Sequence, residues 1–274
     1  MSFAKTIRPG WRADILAKPC IALIKALGIR KDVAVSNIAR CLPDTSEEER
    51  RKILSESYDN MIWTAVEMMC WQKDPSLIDT MTKKIVGREY FDNALAAGRG
   101  VIIVSPHIGS WEHGAAWFGR HSKFHGIVRH SDSPFQRALI EKMRVTSGLM
   151  TMSKDAPMKR VITALKKNEA IGILSDQHGG GEGIPAPFFG TMTSTSAGPA
   201  VFSLLSGAPI LPVYSRHIEP FAMELKIFPP LAMPPKDMPH KEAIAALTAD
   251  VNRLYETMIR ETPGQWLWQH RRFK

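Results

Sequence analysis

Within the stretch VIIVSPHIGSWEHG, residues 101–114, an apolar run gives way to a histidine, His107, and a glutamate, Glu112, follows five positions later. A carboxylate bonded to one ring nitrogen of an imidazole fixes its tautomer and leaves the other nitrogen free to take a proton. If a helix begins near Ser110, Glu112 falls in its first turn and is expected to reach back to His107. The unpaired backbone N–H groups of that turn would help to steady an oxyanion. Such a pair suits the attack of a weak nucleophile, a sugar or lipid hydroxyl, on an activated carbonyl such as a thioester. The protein itself need supply no nucleophile. A serine hydrolase fits worse, because no G-x-S-x-G elbow occurs in the chain. His107, Glu112, His113, Asp176 and His178 could be weighed as metal ligands, but there is no H-E-x-x-H. No catalytic metal is expected, and nothing calls for a cofactor. With nine histidines in the chain, H-x4-E alone can arise by chance.

Position strengthens the pattern. The runs 101–105, 125–129, 170–175, 208–214 and 223–228 read as strands, and helix-like segments at 110–120, 134–147, 157–167 and 196–206 lie between them. Strands alternating with helices predict an α/β fold with a central, mostly parallel or mixed sheet flanked by helices. His107 then stands just past a strand's carboxyl end, where open α/β sheets place ligands. Upstream, residues 44–71 read as one long helix capped by Thr45 or Ser46, forming an N-terminal helical elaboration. A further helix from 241 to 263 precedes an aromatic, basic tail, GQWLWQHRRFK. One domain spanning 1–274 is expected. It comprises a helical region (1–75), an α/β catalytic core (85–235), and a C-terminal helix with its tail (240–274).

The formal net charge of +9 points to an acidic partner. Residues 1–40 hold eight Lys or Arg against Asp14 and Asp32. No helix-turn-helix, zinc-finger or RNP pattern supports nucleic acid as that partner. Three widely spaced cysteines exclude a disulfide framework and a structural zinc site of ordinary spacing. The segment ADILAKPCIALIKALGIR is interrupted by Asp14, Lys18, Pro19 and Lys25, so no membrane-spanning helix is expected. Two readings stay open for it: a helix lying in a membrane interface, or an ordinary amphipathic helix packed on the domain.

Several ordered motifs carry a resemblance. SPHIGSWE, then GIVR, then LSDQHGGGEGIPAPFFGTMTSTSAGPAVFSLLSGAPILPVY, together with VAVSNIARCLPDTSEEERRKI and QWLWQHRRFK, resemble the late acyltransferases of lipid A biosynthesis. These are the lauroyl and myristoyl transferases of the lysophospholipid acyltransferase superfamily. The likeness runs from about residue 30 to 274 and implies a glycerolipid acyltransferase-like fold. It matches His107 and Glu112 to the family's catalytic H-x4-D/E pair. Arg129 falls in the second block, facing acceptor phosphate, where a guanidinium fork is suited. Asp176 and Gln177 fall in the third block, orienting substrate or holding Arg129. Phe188, Phe189 and Gly190, from PFFG, resemble a wall of the family's site, although packing alone would also explain the phenylalanines. SGAP at 206–209 looks like a structural turn. Trp266, Trp268, His270, Arg271 and Arg272 would form either an interfacial patch or a tail docked on the core.

The resemblance implies transfer of a fatty acyl group from acyl carrier protein, or acyl-CoA, to a hydroxyl of a lipid A precursor or related membrane glycolipid. A hydrolase of lipids or thioesters using the same His/Glu dyad is the alternative. The chain departs from the family's usual membrane-spanning start. Peripheral binding to the anionic cytoplasmic face of the inner membrane is therefore expected.

Overall fold

The structure is a computed structural model that describes residues 9–128 and 144–274. Arg129 and most of the helix expected at 134–147 lie outside the described residues. Three helices come first: α1 (Trp11–Leu27), α2 (Lys31–Cys41) and α3 (Glu47–Trp71). Helix α3 starts where its sequence says it should. Ser46 Oγ accepts from the Glu49 N–H, and Glu49 Oε2 accepts from the Ser46 N–H at 2.7 Å, a reciprocal capping box.

Helix α1 packs on the domain through its small residues. Its small residues Ala13 and Ala17 are fully buried and pack with Val66 and Cys70 of α3. Its bulky residues Trp11, Ile15, Leu23 and Leu27 face outward, each more than half exposed. No described helix is long and apolar enough to cross a membrane. The three cysteines are free.

A short helix α4 (Ser76–Met81) leads into a seven-stranded sheet. Its strands are β1 (Thr82–Val86), β2 (Val101–Ser105), β3 (Phe124–Val128), β4 (Met150–Ser153), β5 (Ala170–Leu174), β8 (Ile210–Glu219) and β9 (Ala222–Ile227). The spatial order is β1-β9-β8-β2-β5-β3-β4. All neighbours are parallel except β8 and β9, which form an antiparallel hairpin. The mixed, mostly parallel α/β sheet expected from the alternation is thus present. Two strands in it had no clear signal: β1 is an edge strand with two exposed lysines, Lys83 and Lys84, and β4 is only four residues long.

Strand β2 is central and apolar throughout because both its faces are covered. Ile102 and Val104 enter one core with Ile171, Ile210, Val161 and Tyr255. Val101 and Ile103 enter the other with Trp117, Phe118, Phe91 and Leu211. Each such side chain taken from water contributes roughly 2 kcal/mol. Helices α5 (Arg88–Ala96) and α6 (Trp111–His121) cover the second face; α7 (Met158–Lys166), α8 (Gly198–Ser206) and α9 (His240–Glu261) cover the first.

The glycine-rich loop after β5 is more ordered than its composition implies. It forms an antiparallel hairpin of β6 (Ile184–Phe188) and β7 (Thr191–Thr195), joined by Phe189 and Gly190. Both linking residues have positive φ, +47° and +70°, as a tight two-residue hairpin turn with matching twist demands. Prolines at 185 and 187 hid this strand from a sequence pattern, since a two-stranded ribbon tolerates them at its edge.

Candidate active site

Strands β2 and β5 are in register, with Ser105 opposite Leu174. Two residues beyond each strand end, His107 and Asp176 therefore meet at the carboxyl edge of the sheet. His107 Nδ1 lies 2.7 Å from Asp176 Oδ1, and the His107 backbone N–H donates to Asp176 Oδ2 at 2.9 Å. The Trp266 indole N–H donates to the same Oδ2 at 2.7 Å. Asp176 is 1% exposed. Burial pushes its carboxyl up, but the charge and hydrogen bonds of His107 and the Trp266 N–H bring it down to about 2. It is an anion across the neutral range. The imidazole is thus oriented from Nδ1, and Nε2 has the Gln177 amide nitrogen at 3.4 Å.

The carboxylate on the imidazole is Asp176, where the spacing had pointed to Glu112. Glu112 takes a different partner: Arg144 donates to it from Nε at 3.1 Å and again from Nη2. The physical reason is that Glu112 starts a helix whose first turn faces the sheet's other layer, and a guanidinium fork there outcompetes a single ring nitrogen. Asp176 therefore holds His107, a contact the sequence pattern did not assign to it. Arg129 itself lies outside the described residues.

The loop carrying His107 is clamped on all sides. Gly109 adopts φ +59°, and a Cβ there would stand 2.1 Å from the Ser215 carbonyl oxygen, so the loop and β8 can approach this closely only with glycine. The Ser110 N–H donates to Ser215 O, and Asn60 and Thr64 of α3 both donate to Gly109 O. Ser110 stands at the N-cap of α6 but makes no side-chain cap. From the far side, Gln265 O accepts from the Gly109 N–H, and the Leu267 N–H donates to His107 O.

The segment that supplies these last contacts is the aromatic tail. Trp266, Trp268 and Arg272 are almost completely buried, which overturns the interfacial-patch reading and fits the docked one. Arg272 donates to Gln177 O at 3.3 Å and to Thr195 Oγ1 at 2.7 Å, with its guanidinium 4.7 Å from the Phe188 ring.

Phe188 is not a wall of the cleft. It is fully buried and packs against Trp266 at 5.8 Å between centroids, so it acts on the site through Trp266. The Phe189 N–H donates to Glu256 of α9, and its ring lies under Arg260. Gly190 closes the hairpin. The other two residues weighed as metal ligands, His113 and His178, are engaged elsewhere. His113 is buried with Nε2 2.9 Å from Thr82 Oγ1, and burial, then the neighbouring His217, push it down to about 3. His178 Nδ1 accepts from the Gly180 N–H. Among the described residues no group of three or more His, Cys, Asp or Glu is arranged to hold a metal ion.

Beside the pair lies an apolar cavity between α6 and the sheet. It encloses about 580 Å³ of empty space, counting the part open to solvent. Phe118, Phe124, Leu149, Ile173 and Val213 line it, and the Glu112–Arg144 pair stands in its wall. Trp111 joins the cavity and His107, lining the one while its ring stands 5.3 Å from the imidazole of the other. Sequence reasoning missed Arg144, Trp111 and the hold of Trp266. Only the W-x-W spacing of the tail gave any signal, and it read equally well as surface.

A profile of bacterial lipid A biosynthesis acyltransferases matches residues 9–274. The chain belongs to this family. It is 29% identical over 249 residues to the lipid A biosynthesis lauroyltransferase of Escherichia coli K12, covering 89% of this chain and 79% of that one. It is 30% identical over 272 residues to the lipid A biosynthesis palmitoleoyltransferase of the same organism, covering 97% and 83%. A phosphatidylinositol mannoside acyltransferase of Mycobacterium tuberculosis is 24% identical over 216 residues, covering 77% and 66%. The late-acyltransferase resemblance is therefore confirmed, and the protein is an acyltransferase. The H-x4-E spacing of the chain is formed by His107 and Glu112, yet in space the two side chains serve different partners.

Proposed function

We propose that the protein transfers a fatty acyl group from a thioester donor, an acyl carrier protein or acyl-CoA, to a hydroxyl of a lipid A precursor or related glycolipid. The observation that carries this reading is the His107–Asp176 pair at the edge of an apolar cavity. His107 Nε2 takes the proton of the acceptor hydroxyl as its oxygen attacks the thioester carbonyl. Asp176, bound to Nδ1, stabilises the imidazolium that forms. The tetrahedral intermediate then collapses: the C–S bond breaks, the ester remains, and the imidazolium returns its proton to the leaving thiolate. No covalent enzyme intermediate is needed. The N–H groups of residues 107–110 are engaged within the protein, so within this loop and helix the first turn of α6 is left to supply a backbone donor to the oxyanion.

Glu112 keeps a part in this reading, different from that of an imidazole partner. It fixes Arg144 in the cavity wall, where a cation beside the acyl chain's head would meet the developing negative charge. Gln177 steadies the outer face of the imidazole. Arg129, which follows the cavity-lining Val128 in the sequence, meets the acceptor phosphate in this reading.

The outward residues of α1, flanked by Arg12, Lys18, Arg30 and Lys31, suit the interface of an anionic bilayer. In this reading the enzyme works at the cytoplasmic face of the inner membrane, with α1 resting in the interface where donor and acceptor meet.

The test is a transfer assay with acyl carrier protein and CoA thioesters and a lipid A precursor, run on wild type and His107→Ala. Acylated glycolipid is expected from wild type and not from the variant. Free fatty acid as the main product would make the protein a hydrolase, and full transfer by His107→Ala would refute the base.

A further inference from the structure

We propose that Trp266 is a positioning residue for proton transfer, holding Asp176 so that one carboxylate oxygen is presented to the imidazole. This rests on the reading of His107 as the base. The indole N–H meets Asp176 Oδ2 at 2.7 Å, and the His107 backbone N–H meets the same oxygen, which leaves Oδ1 for Nδ1. A buried carboxylate held only by a ring nitrogen can rotate or take up a proton. A second rigid donor on Oδ2 opposes both.

Trp266 is itself immobilised. It is 2% exposed, its ring packs on Phe188 and on Trp268 with centroids 5.8 and 4.6 Å away, and its backbone bridges Ile108 in the loop carrying the base. The same segment braces the other flank of the imidazole, since Arg272 holds the Gln177 carbonyl and the Gln177 amide faces Nε2. Two residues along stands a built-in control. Trp268 is fully buried too, but its N–H goes to Pro263 O at 2.7 Å and does not touch Asp176.

The experiment compares W266F and W268F with wild type in the full chain. It reads kcat and KM for acyl transfer, the thermal midpoint, and the low-field proton resonance of the His107 Nδ1–H. W266F is expected to lose about tenfold to hundredfold in kcat at unchanged KM, the scale of one hydrogen bond to a charged group. Its Nδ1–H resonance should move upfield or broaden. W268F should keep kcat within about twofold and leave the resonance in place, even where its thermal midpoint falls as far. If both variants lose activity only in step with stability, or W266F leaves kcat and resonance intact, the inference is overturned. Should W266F not fold, benzothienylalanine at position 266, which replaces the N–H by sulfur at constant shape, carries the same comparison. If wild type transfers no acyl group, the functional reading fails, and the resonance in wild type against W266F still decides the positioning role.

Discussion

Arg144 grips Glu112 by two nitrogens in the wall of the apolar cavity, with Nε 3.1 Å from Oε2. Both side chains are mostly buried, so removing one strands the other's charge at a cost of about 3 kcal/mol. Glu112→Ala should therefore lower the unfolding midpoint measurably. Glu112→Gln should raise KM for the acyl donor more than it lowers kcat. A Glu112→Gln variant as dead as His107→Ala would return Glu112 to the proton-transfer step.

Asp176→Asn should be the most damaging of the carboxylate changes. An amide facing Nδ1 can donate where the carboxylate accepts, and then the ring holds its proton on Nε2, the nitrogen that must be free. A fall in kcat on the order of 10³ to 10⁴ is expected, with KM nearly unchanged. Steady-state kinetics across a donor series would measure it.

Chain-length preference should respond to the cavity's glycine. A Cβ on Gly126 would lie 3.4 Å from Leu149 Cδ1, so Gly126→Ala narrows the cavity with small rearrangement. The ratio of kcat/KM for lauroyl over palmitoleoyl donors should rise. Leu149→Ala should move it the other way, at a stability cost of about 3 kcal/mol. Gly172 is no substitute site, because a Cβ there would collide with the Phe124 ring at 2.2 Å.

His113 sets an acid-side stability slope. Its folded value of about 3 lies below the ordinary histidine value of 6.5. Between those limits the unfolded chain binds the extra proton, so stability is complete above about pH 6.5 and declines as pH falls toward 3. The slope from this one group is at most about 1.4 kcal/mol per pH unit. Denaturant midpoints taken from pH 7 to 4 should fall, and His113→Gln should flatten the fall.

Replacing Trp11, Leu23 and Leu27 of α1 together by serine should weaken binding to anionic vesicles while leaving the unfolding midpoint near that of wild type. Those side chains are exposed already, and each contributes to the interface roughly 2 kcal/mol when buried in lipid. Vesicle co-sedimentation would show it, and wild-type binding should also weaken as salt rises.

The sheet and the place of His107 at its carboxyl edge were legible because both rest on local pattern. Apolar runs of five residues, the spacing of helices between them, and a histidine past a strand end are all visible along the chain. The identity of its carboxylate was not, since Asp176 is 69 residues from His107 and only the β2–β5 register brings them together. That register has a sequence trace in hindsight: each residue stands two positions after an apolar strand of five. The five-residue separation of Glu112 was a more conspicuous lure, and a helix turned it away. The tail left two readings open for another reason. Tryptophans beside arginines read as a surface patch by composition, whereas Arg272 is buried by donating to Gln177 O and Thr195 Oγ1 in the core.

The bridge between Ile108 and Trp266 has a consequence for how the enzyme comes into being. On a ribosome, every strand of the sheet emerges well before residue 266, so a nascent chain can assemble its scaffold while the base still lacks its brace. Competence would then switch on only once that late stretch threads home, and prematurely halted products would be harmless to the lipids around them.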